Sequence, residues 1–146
     1  RWNCAIKLFY EKPIFGWGPG TYSFVYAPFQ SSKDLTIIST NFADGGNAHS
    51  EYLGPLAEQG FIGFIINLVL IGLIFLSTGF FYINCENQFY KNLTLMIILS
   101  LTTYFTHGVL NNYLDTDKAA IPVWGLVALF VAIKTYLISN SEQTTY

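Results

Sequence analysis

Three apolar runs fill the C-terminal part of the chain, and a polar, turn-rich stretch precedes them. The first run, Phe61 to Ile83, reads FIGFIINLVLIGLIFLSTGFFYI, about 23 residues without a charge. It is long enough to cross a bilayer as a helix. A short polar loop with Glu86, Asn87, Gln88 and Lys91 leads to a second run from about Leu93 to Tyr113. A tight turn, Asp115-Thr116-Asp117-Lys118, leads to a third from about Ala119 to Ser139, and a Ser/Thr/Gln-rich tail follows. The pattern predicts a loop region over residues 1–60, membrane helices at about 61–83, 93–113 and 119–139, and a tail at 140–146.

The first 60 residues have another grammar. Trp2, Ala5, Ile6, Phe9 and Tyr10 recur at helical spacing, which predicts the end of an amphipathic helix. Pro13 and the glycines Gly16, Gly18 and Gly20 break it. Phe15, Trp17, Tyr22, Phe24, Tyr26 and Phe29 then punctuate the chain with rings of the kind that favour a membrane–water interface. Ser31 to Asn47 reads as an irregular loop ending in the turn Asp44-Gly45-Gly46-Asn47.

Composition agrees with a bilayer as solvent. Only 11% of residues are charged, against about 25% in an ordinary soluble domain, too few to cover a water-soluble fold of this size. The net charge of −2 leaves no electrostatic footprint for nucleic acid. The chain starts at Arg1 and lacks the features of a signal peptide, so it is expected to be a piece of something longer. The predicted topology puts Cys4 and Cys85 on opposite sides of the membrane, where they would not pair. Lysine and arginine counts do not fix the orientation. Lys91 and Lys134 fall on one side, and Lys118 falls on the other with Arg1, Lys7, Lys12 and Lys33.

The most informative stretch is AHSEYLGPLAEQGFIG, Ala48 to Gly63, at the mouth of the first apolar run. It holds His49-Ser50, then nine residues, then Gly60-x-x-Gly63. Upstream stand Arg1-Trp2, Ala5 and Pro13-x-x-Gly16-x-Gly-Pro-Gly20-x-Tyr22. Downstream runs THGVLNNYLDTDKAAIPVWG. Together these resemble the large polar loop and C-terminal spans of the O-antigen ligase and Wzy-type polymerase superfamily, with the downstream run similar to ligase-like proteins of Bacteroidetes-type bacteria. Phe64 stands where that family has Thr.

The resemblance implies an all-α, polytopic membrane fold with a large, partly helical periplasmic loop, a GT-C-like glycosyltransferase fragment. It places the protein in the bacterial inner membrane with its active side periplasmic and the tail at 140–146 cytoplasmic, an orientation taken from the resemblance and not from the apolar pattern. The implied reaction moves a glycan from undecaprenyl diphosphate to a sugar hydroxyl. The acceptor is lipid A-core in the ligases of lipopolysaccharide biosynthesis and another glycan repeat in the polymerases. The implied enzyme is inverting and metal-independent, with no cofactor. Its partners are a polyprenyl-diphosphate-linked glycan, a lipid A-core or glycan acceptor and the lipid bilayer.

The chemistry asks for matching residues. A departing diphosphate gathers negative charge, so cations aimed at it lower the barrier. An acceptor hydroxyl needs a base within hydrogen-bond reach, and imidazole titrates near neutrality. His49 is the expected base. Arg1, Lys7 and Lys118 are the expected diphosphate partners, and Glu51 and His107 complete the substrate-binding set. Glu51 and Glu58, seven residues apart, would orient His49 or an arginine, or face solvent.

Other readings compete. A transporter or channel subunit would use the stripe Ser100, Thr103, Tyr104, His107 and Asn111, expected to face the bundle interior, as a path. A non-catalytic scaffold would need neither histidine. The Gly16-Gly18-Gly20 run lacks the Lys-Ser/Thr of a phosphate loop and reads as turns. Asp115-Thr116-Asp117 mimics an Asp-x-Asp metal site but reads better as a cap for the third helix. Gly60, Gly63, Gly72 and Gly79 are expected to permit close helix packing, and Trp124 to anchor at an interface.

Overall fold

A computed structural model describes residues 2–30, 46–114 and 117–143. Among them the chain is all helical, with no strand. The helices are α1 (Trp2–Glu11), α2 (Tyr22–Val25), α3 (Leu53–Asn84), α4 (Gln88–His107) and α5 (Asp117–Gln143), with a 3-10 turn at Ala27–Phe29. Contacts divide the chain into two compact units, Arg1–Val69 with His107–Tyr113, and Leu70–Thr106 with Leu114–Tyr146.

The first unit is built on small residues and rings. Cys4, Ala5 and Leu8 of α1 pack with Tyr22, Tyr26, Ala48 and Ala57. The Tyr22 and Tyr26 rings stack 5.7 Å apart. The buried face of α1 shares only Ala5 with the residues read at helical spacing. Trp2, Ile6 and Tyr10 line the exposed side, while Cys4, Ala5 and Leu8 point inward. The indole N–H of Trp17 donates to the Leu8 carbonyl at 3.0 Å, and the Lys12 ammonium lies 4.0 Å from the centre of the Trp17 ring.

The second unit is a three-helix packing. Ile97, Leu101 and Phe105 of α4 meet Val123, Phe130 and Ile133 of α5, with Ile71, Ile74 and Phe75 of α3 alongside. Phe75 meets Phe105 edge-on at 5.9 Å, and Phe81 meets Phe130 at 5.6 Å. Asn87 caps α4, its side-chain oxygen accepting from the N–H groups of Phe89 at 3.0 Å and Tyr90 at 3.4 Å. Buried Thr78 and Thr94 return their hydroxyls to their own helices, on the Ile74 carbonyl at 2.9 Å and the Tyr90 carbonyl at 2.8 Å. They add no unmet donor to an apolar core.

Two helices are long and apolar enough to cross a bilayer by length and composition, α3 and the Lys118–Ile138 part of α5. The helix under the second apolar run, α4, has 20 residues, about 30 Å at 1.5 Å per residue, but its polar content keeps it outside that pair. It also ends at His107, with an irregular stretch from Gly108 to Tyr113.

The polar stripe on α4 faces the interior of this unit only in part: Ser100 and Thr103 are exposed, Tyr104 packs against the core, and Thr94, Ile97, Leu101 and Phe105 form the buried face. Ser100 and Thr103 donate to the carbonyls of Met96 and Leu99, each at 2.9 Å. A hydroxyl satisfied by its own helix has no need of a partner helix. The expected packing role of Gly72 and Gly79 fails for a related reason. A side-chain carbon built at either would meet nothing within 4 Å among the described residues.

Candidate functional site

The segment carrying His49 is organised by a reversal at Gly60. Gly60 has φ 67° and ψ −165°, outside the helical region, so α3 is two helices joined at a break. Asn67 shows how sharp the break is. Its side-chain amide donates to the Glu51 carbonyl at 3.5 Å. In a straight helix, 16 residues would separate these groups by about 24 Å. The segment Leu53–Gln59 therefore turns back along the first turns of the apolar helix that starts at Phe61.

A break in a helix exposes carbonyls on one side and N–H groups on the other. The Pro13–Gly20 loop supplies both sets of partners. Its Pro13 and Ile14 carbonyls accept from Phe61 N–H at 2.7 Å and Ile62 N–H at 3.4 Å, and its Gly18 N–H donates to the Glu58 carbonyl at 2.7 Å. The two backbones lie so close that a side-chain carbon on Gly16 would overlap the Glu58 carbonyl, and one on Gly60 the Ile14 carbonyl. Both glycines also have φ near 67°, where a β-carbon is unfavourable. The spaced glycines thus form a backbone-to-backbone seam.

Glu58 strengthens the seam. Its carboxylate accepts from Gly20 N–H and Tyr22 N–H, each at 2.9 Å, and so caps α2. Neither Glu51 nor Glu58 is a solvated face charge. Glu58 is half-buried, and Glu51 is only 7% exposed.

His49 stands just before the start of α3. Ser50 acts as the cap, its hydroxyl oxygen accepting from the N–H groups of Tyr52 and Leu53, each at 3.3 Å. The next residue, Glu51, is stapled to the turn after α4. Its N–H donates to the carbonyls of Gly108 at 2.8 Å and Asn111 at 3.1 Å, and its carboxylate accepts from Tyr113 N–H at 2.6 Å. Between these anchors His49 adopts φ 50°, the left-handed region that few side chains other than Gly enter. Its N–H donates to the Asn47 side-chain oxygen at 3.0 Å, a local turn that steadies the conformation. The ring is half-buried.

The other expected site residues are distributed as follows. His107 is exposed at the end of α4, with its Nε2 3.0 Å from the Asn111 amide and its ring stacked on Tyr113 at 6.0 Å. It thus shares the Glu51-anchored turn. Lys7 is exposed on α1 of the same unit and reaches the Phe29 carbonyl at 3.5 Å. Lys118 is exposed and belongs to the second unit. Arg1 lies outside the described residues, as do Asp115 and Thr116 of the Asp-x-Asp reading. Among the described residues no group of three or more His, Cys, Asp or Glu side chains comes together to hold a metal ion.

Burial pushes the Tyr52 phenol above its ordinary value, and the neighbouring Glu51 carboxylate adds to the effect. Sequence reasoning gave no supporting role to Asn47, Ser50, Asn67 and Tyr113, which hold the His49 segment through the bonds above. Ser50 stands beside His49 in the motif, Asn47 in the predicted turn, and Asn67 is a lone amide in an apolar run.

Residues 1–68 match the family model Wzy_C, described as O-antigen ligase. Over this stretch the chain is similar to the O-antigen ligase superfamily, whose members are glycosyltransferase-like ligases or polymerases. The matched residues hold α1, the Pro/Gly loop, His49 and the Gly60 reversal. A protein of Haemophilus influenzae that bears the name "Uncharacterized protein" is 31% identical over 133 residues, which cover 89% of this chain. The chain spans about a third of that relative, 32% of its length. No solved structure matches.

Proposed function

We propose that this chain supplies the acceptor-activating part of an inverting, metal-independent glycosyltransferase that uses a glycan on undecaprenyl diphosphate. His49 takes the proton from a sugar hydroxyl as the oxygen attacks the anomeric carbon. The bond from that carbon to the diphosphate breaks, and the diphosphate leaves with its electron pair. Lys7 and Arg1 are the proposed cations for that charge. His107 is the proposed polar contact for the sugars, and Glu51 fixes the site by holding the α3 start to the turn before Tyr113. The enzyme would sit in the bacterial inner membrane as a multi-pass protein, with this site on the periplasmic side. Its proposed product is O-antigen joined to lipid A-core. The polymerase reaction of the same superfamily, with a glycan repeat as acceptor, is the alternative.

One observation carries this reading. His49 holds an unfavourable backbone conformation while bonds on both flanks keep it there, and strain of this kind clusters at sites that need a fixed side chain.

The test separates backbone from base. Asparagine tolerates the left-handed region nearly as well as any side chain with a β-carbon, but offers no base. His49→Asn should keep the full-length protein folded and membrane-inserted while glycan transfer falls by about 10²-fold or more. Transfer is measured from undecaprenyl-diphosphate glycan to lipid A-core and, separately, to glycan repeat. The preferred acceptor separates ligase from polymerase. Transfer at the parent rate by His49→Asn would remove the base from the mechanism.

A further inference from the structure

In the second unit a cleft of about 470 Å³ opens between the end of α3, the turn after it and the last turns of α5. That volume is in the range of small-molecule sites. Phe80, Phe81 and Leu137 form its apolar wall, and Asn84, Glu86 and Lys134 supply its polar groups. None of them belongs to the His49 segment. We propose that this cleft holds the headgroup of a zwitterionic phospholipid bearing a primary amine, a phosphoethanolamine lipid. Lys134 takes the phosphate and Glu86 the ammonium.

The order of charges along the helices supports this occupant. The Lys134 ammonium is 3.5 Å from the Ser77 hydroxyl. Ser77 lies seven residues before Asn84, the last residue of α3, or about 10 Å deeper along the helix. Glu86 lies two residues past that end. From the apolar part of the helices outward, the cleft therefore offers a cation first and an anion second. A phosphoethanolamine lipid lying tail-inward offers the complement in the same order, phosphate first and ammonium second. A purely anionic head would leave Glu86 without a cation. A quaternary amine would lack the N–H groups that a carboxylate binds best.

The state of the lysine agrees. A charge on an apolar helix is costly and draws a partner. Among the described residues Lys134 has the neutral Ser77 hydroxyl, at the limit of hydrogen-bond length. The neighbouring Lys91 instead sits 5.2 Å from the centre of the Tyr82 ring. The apolar wall beside Lys134 is the surface along which an acyl chain would leave the site. The proposal rests on α3 and α5 crossing a bilayer, and it is independent of His49.

The experiment is native mass spectrometry of the delipidated full-length protein. It is offered equal amounts of phosphatidylethanolamine, phosphatidylglycerol and phosphatidylcholine with identical acyl chains. Phosphatidylethanolamine should be retained about tenfold over the other two, the factor expected of one charge-assisted contact. Lys134→Met should lower retention of all three, since all carry the phosphate. Glu86→Gln should erase the preference for phosphatidylethanolamine while Lys134-dependent binding persists. Head-group-blind retention by the parent protein overturns the proposal, as does parent-like retention by Lys134→Met. Were Lys134→Met to misfold, the preference lost in Glu86→Gln still decides the matter. Alkaline carbonate extraction tests the bilayer reading separately, because release of the protein would sink that reading whatever lipid it retains.

Discussion

The two units reach order by different means. In the first, backbone meets backbone. The Pro13–Gly20 loop bonds both sides of the break at Gly60, and side chains enter mainly as caps, Glu58 on α2, Ser50 on α3 and Glu51 on the turn after α4. In the second, side chain meets side chain, with Leu101, Ile97 and Phe130 packed among helices whose polar groups satisfy themselves. A seam of backbone bonds fixes position closely and tolerates almost no change of residue. A packed apolar core tolerates exchange, provided volume is kept. The strained histidine is on the first kind of scaffold, which suits a group that must be held in place.

The glycines expose the contrast most strongly. Gly60→Ala would drive a carbon into the Ile14 carbonyl while holding φ at 67°. Backbone cannot yield as a flexible side chain does, so the loss should exceed about 4 kcal/mol and unfold the first unit. Gly72→Ala meets open space in a helix interior and should change stability by no more than about 1 kcal/mol, in the favourable direction. Melting curves in detergent, with protease cleavage after residue 12 as a local probe, read both. A Gly60→Ala protein that melts with its parent would break the account of the seam.

Gly60 also shows how far the sequence could be read. The apolar runs, the loop broken at Pro13 and the motif around His49 are visible because hydrophobic period and turn chemistry are local signals. The reversal is not visible. At the mouth of an apolar run Gly60 looks like any small residue of a packed helix, and only the loop 44 residues earlier makes it a turn. The signal was the helix-ending glycine that takes a left-handed conformation, a common stop. Faces were misjudged for a second reason. In α1 the recurring residues Trp2, Ala5, Ile6, Phe9 and Tyr10 marked the helix, but of these Ala5 alone joins Cys4 and Leu8 in the core. In α4 the hydroxyls suggested an inner stripe, but those of Ser100 and Thr103 bond within their own helix, while Tyr104 packs against the core. For the candidate site, His49 could be named from its motif. Its conformation and its supports through Glu51 and Asn67 depend on contacts that no window of sequence contains.

Core truncations should sharpen the comparison by solvent. Leu8 and Leu101 are both wholly buried. Leu8→Ala, in a segment read as a loop facing water, loses transfer energy as well as leaving a cavity, and should cost about 3 kcal/mol. Leu101→Ala, among helices read as lying in lipid, loses packing contacts with little transfer term, and should cost about half as much. Equal costs would mean that the second unit folds against water too. Glu58→Ala should follow, at about 2 kcal/mol. It leaves the Gly20 and Tyr22 N–H groups without the carboxylate that holds them, and charged hydrogen bonds of this type are worth that much. Its loss should appear in the first unit alone, as faster amide exchange at Gly20 and Tyr22.

The smallest effect concerns the two cysteines, one in each unit and both free thiols. Cys4 is buried and donates to the Tyr26 carbonyl at 3.3 Å, whereas Cys85 is half-buried in the turn after α3. Burial raises the Cys4 thiol above its ordinary 9.0, outweighing the hydrogen bond with Tyr22 and the nearby Lys7, which pull it down. The thiolate is the reactive form. At pH 8, iodoacetamide should therefore modify Cys85 steadily and spare Cys4 until the first unit opens. The same shift sets a pH dependence whose sign is fixed. Below pH 9 the thiol is protonated in folded and unfolded chains alike, so Cys4 contributes no slope. Above it the unfolded chain releases its proton first, and the first unit loses stability as pH rises towards the folded value. Cys4→Ala should flatten that decline and leave the second unit unchanged. Alkylation of both thiols at one rate in the folded protein would show that the first unit opens as readily as the turn carrying Cys85. A backbone seam that loose could not hold His49 in its strained conformation.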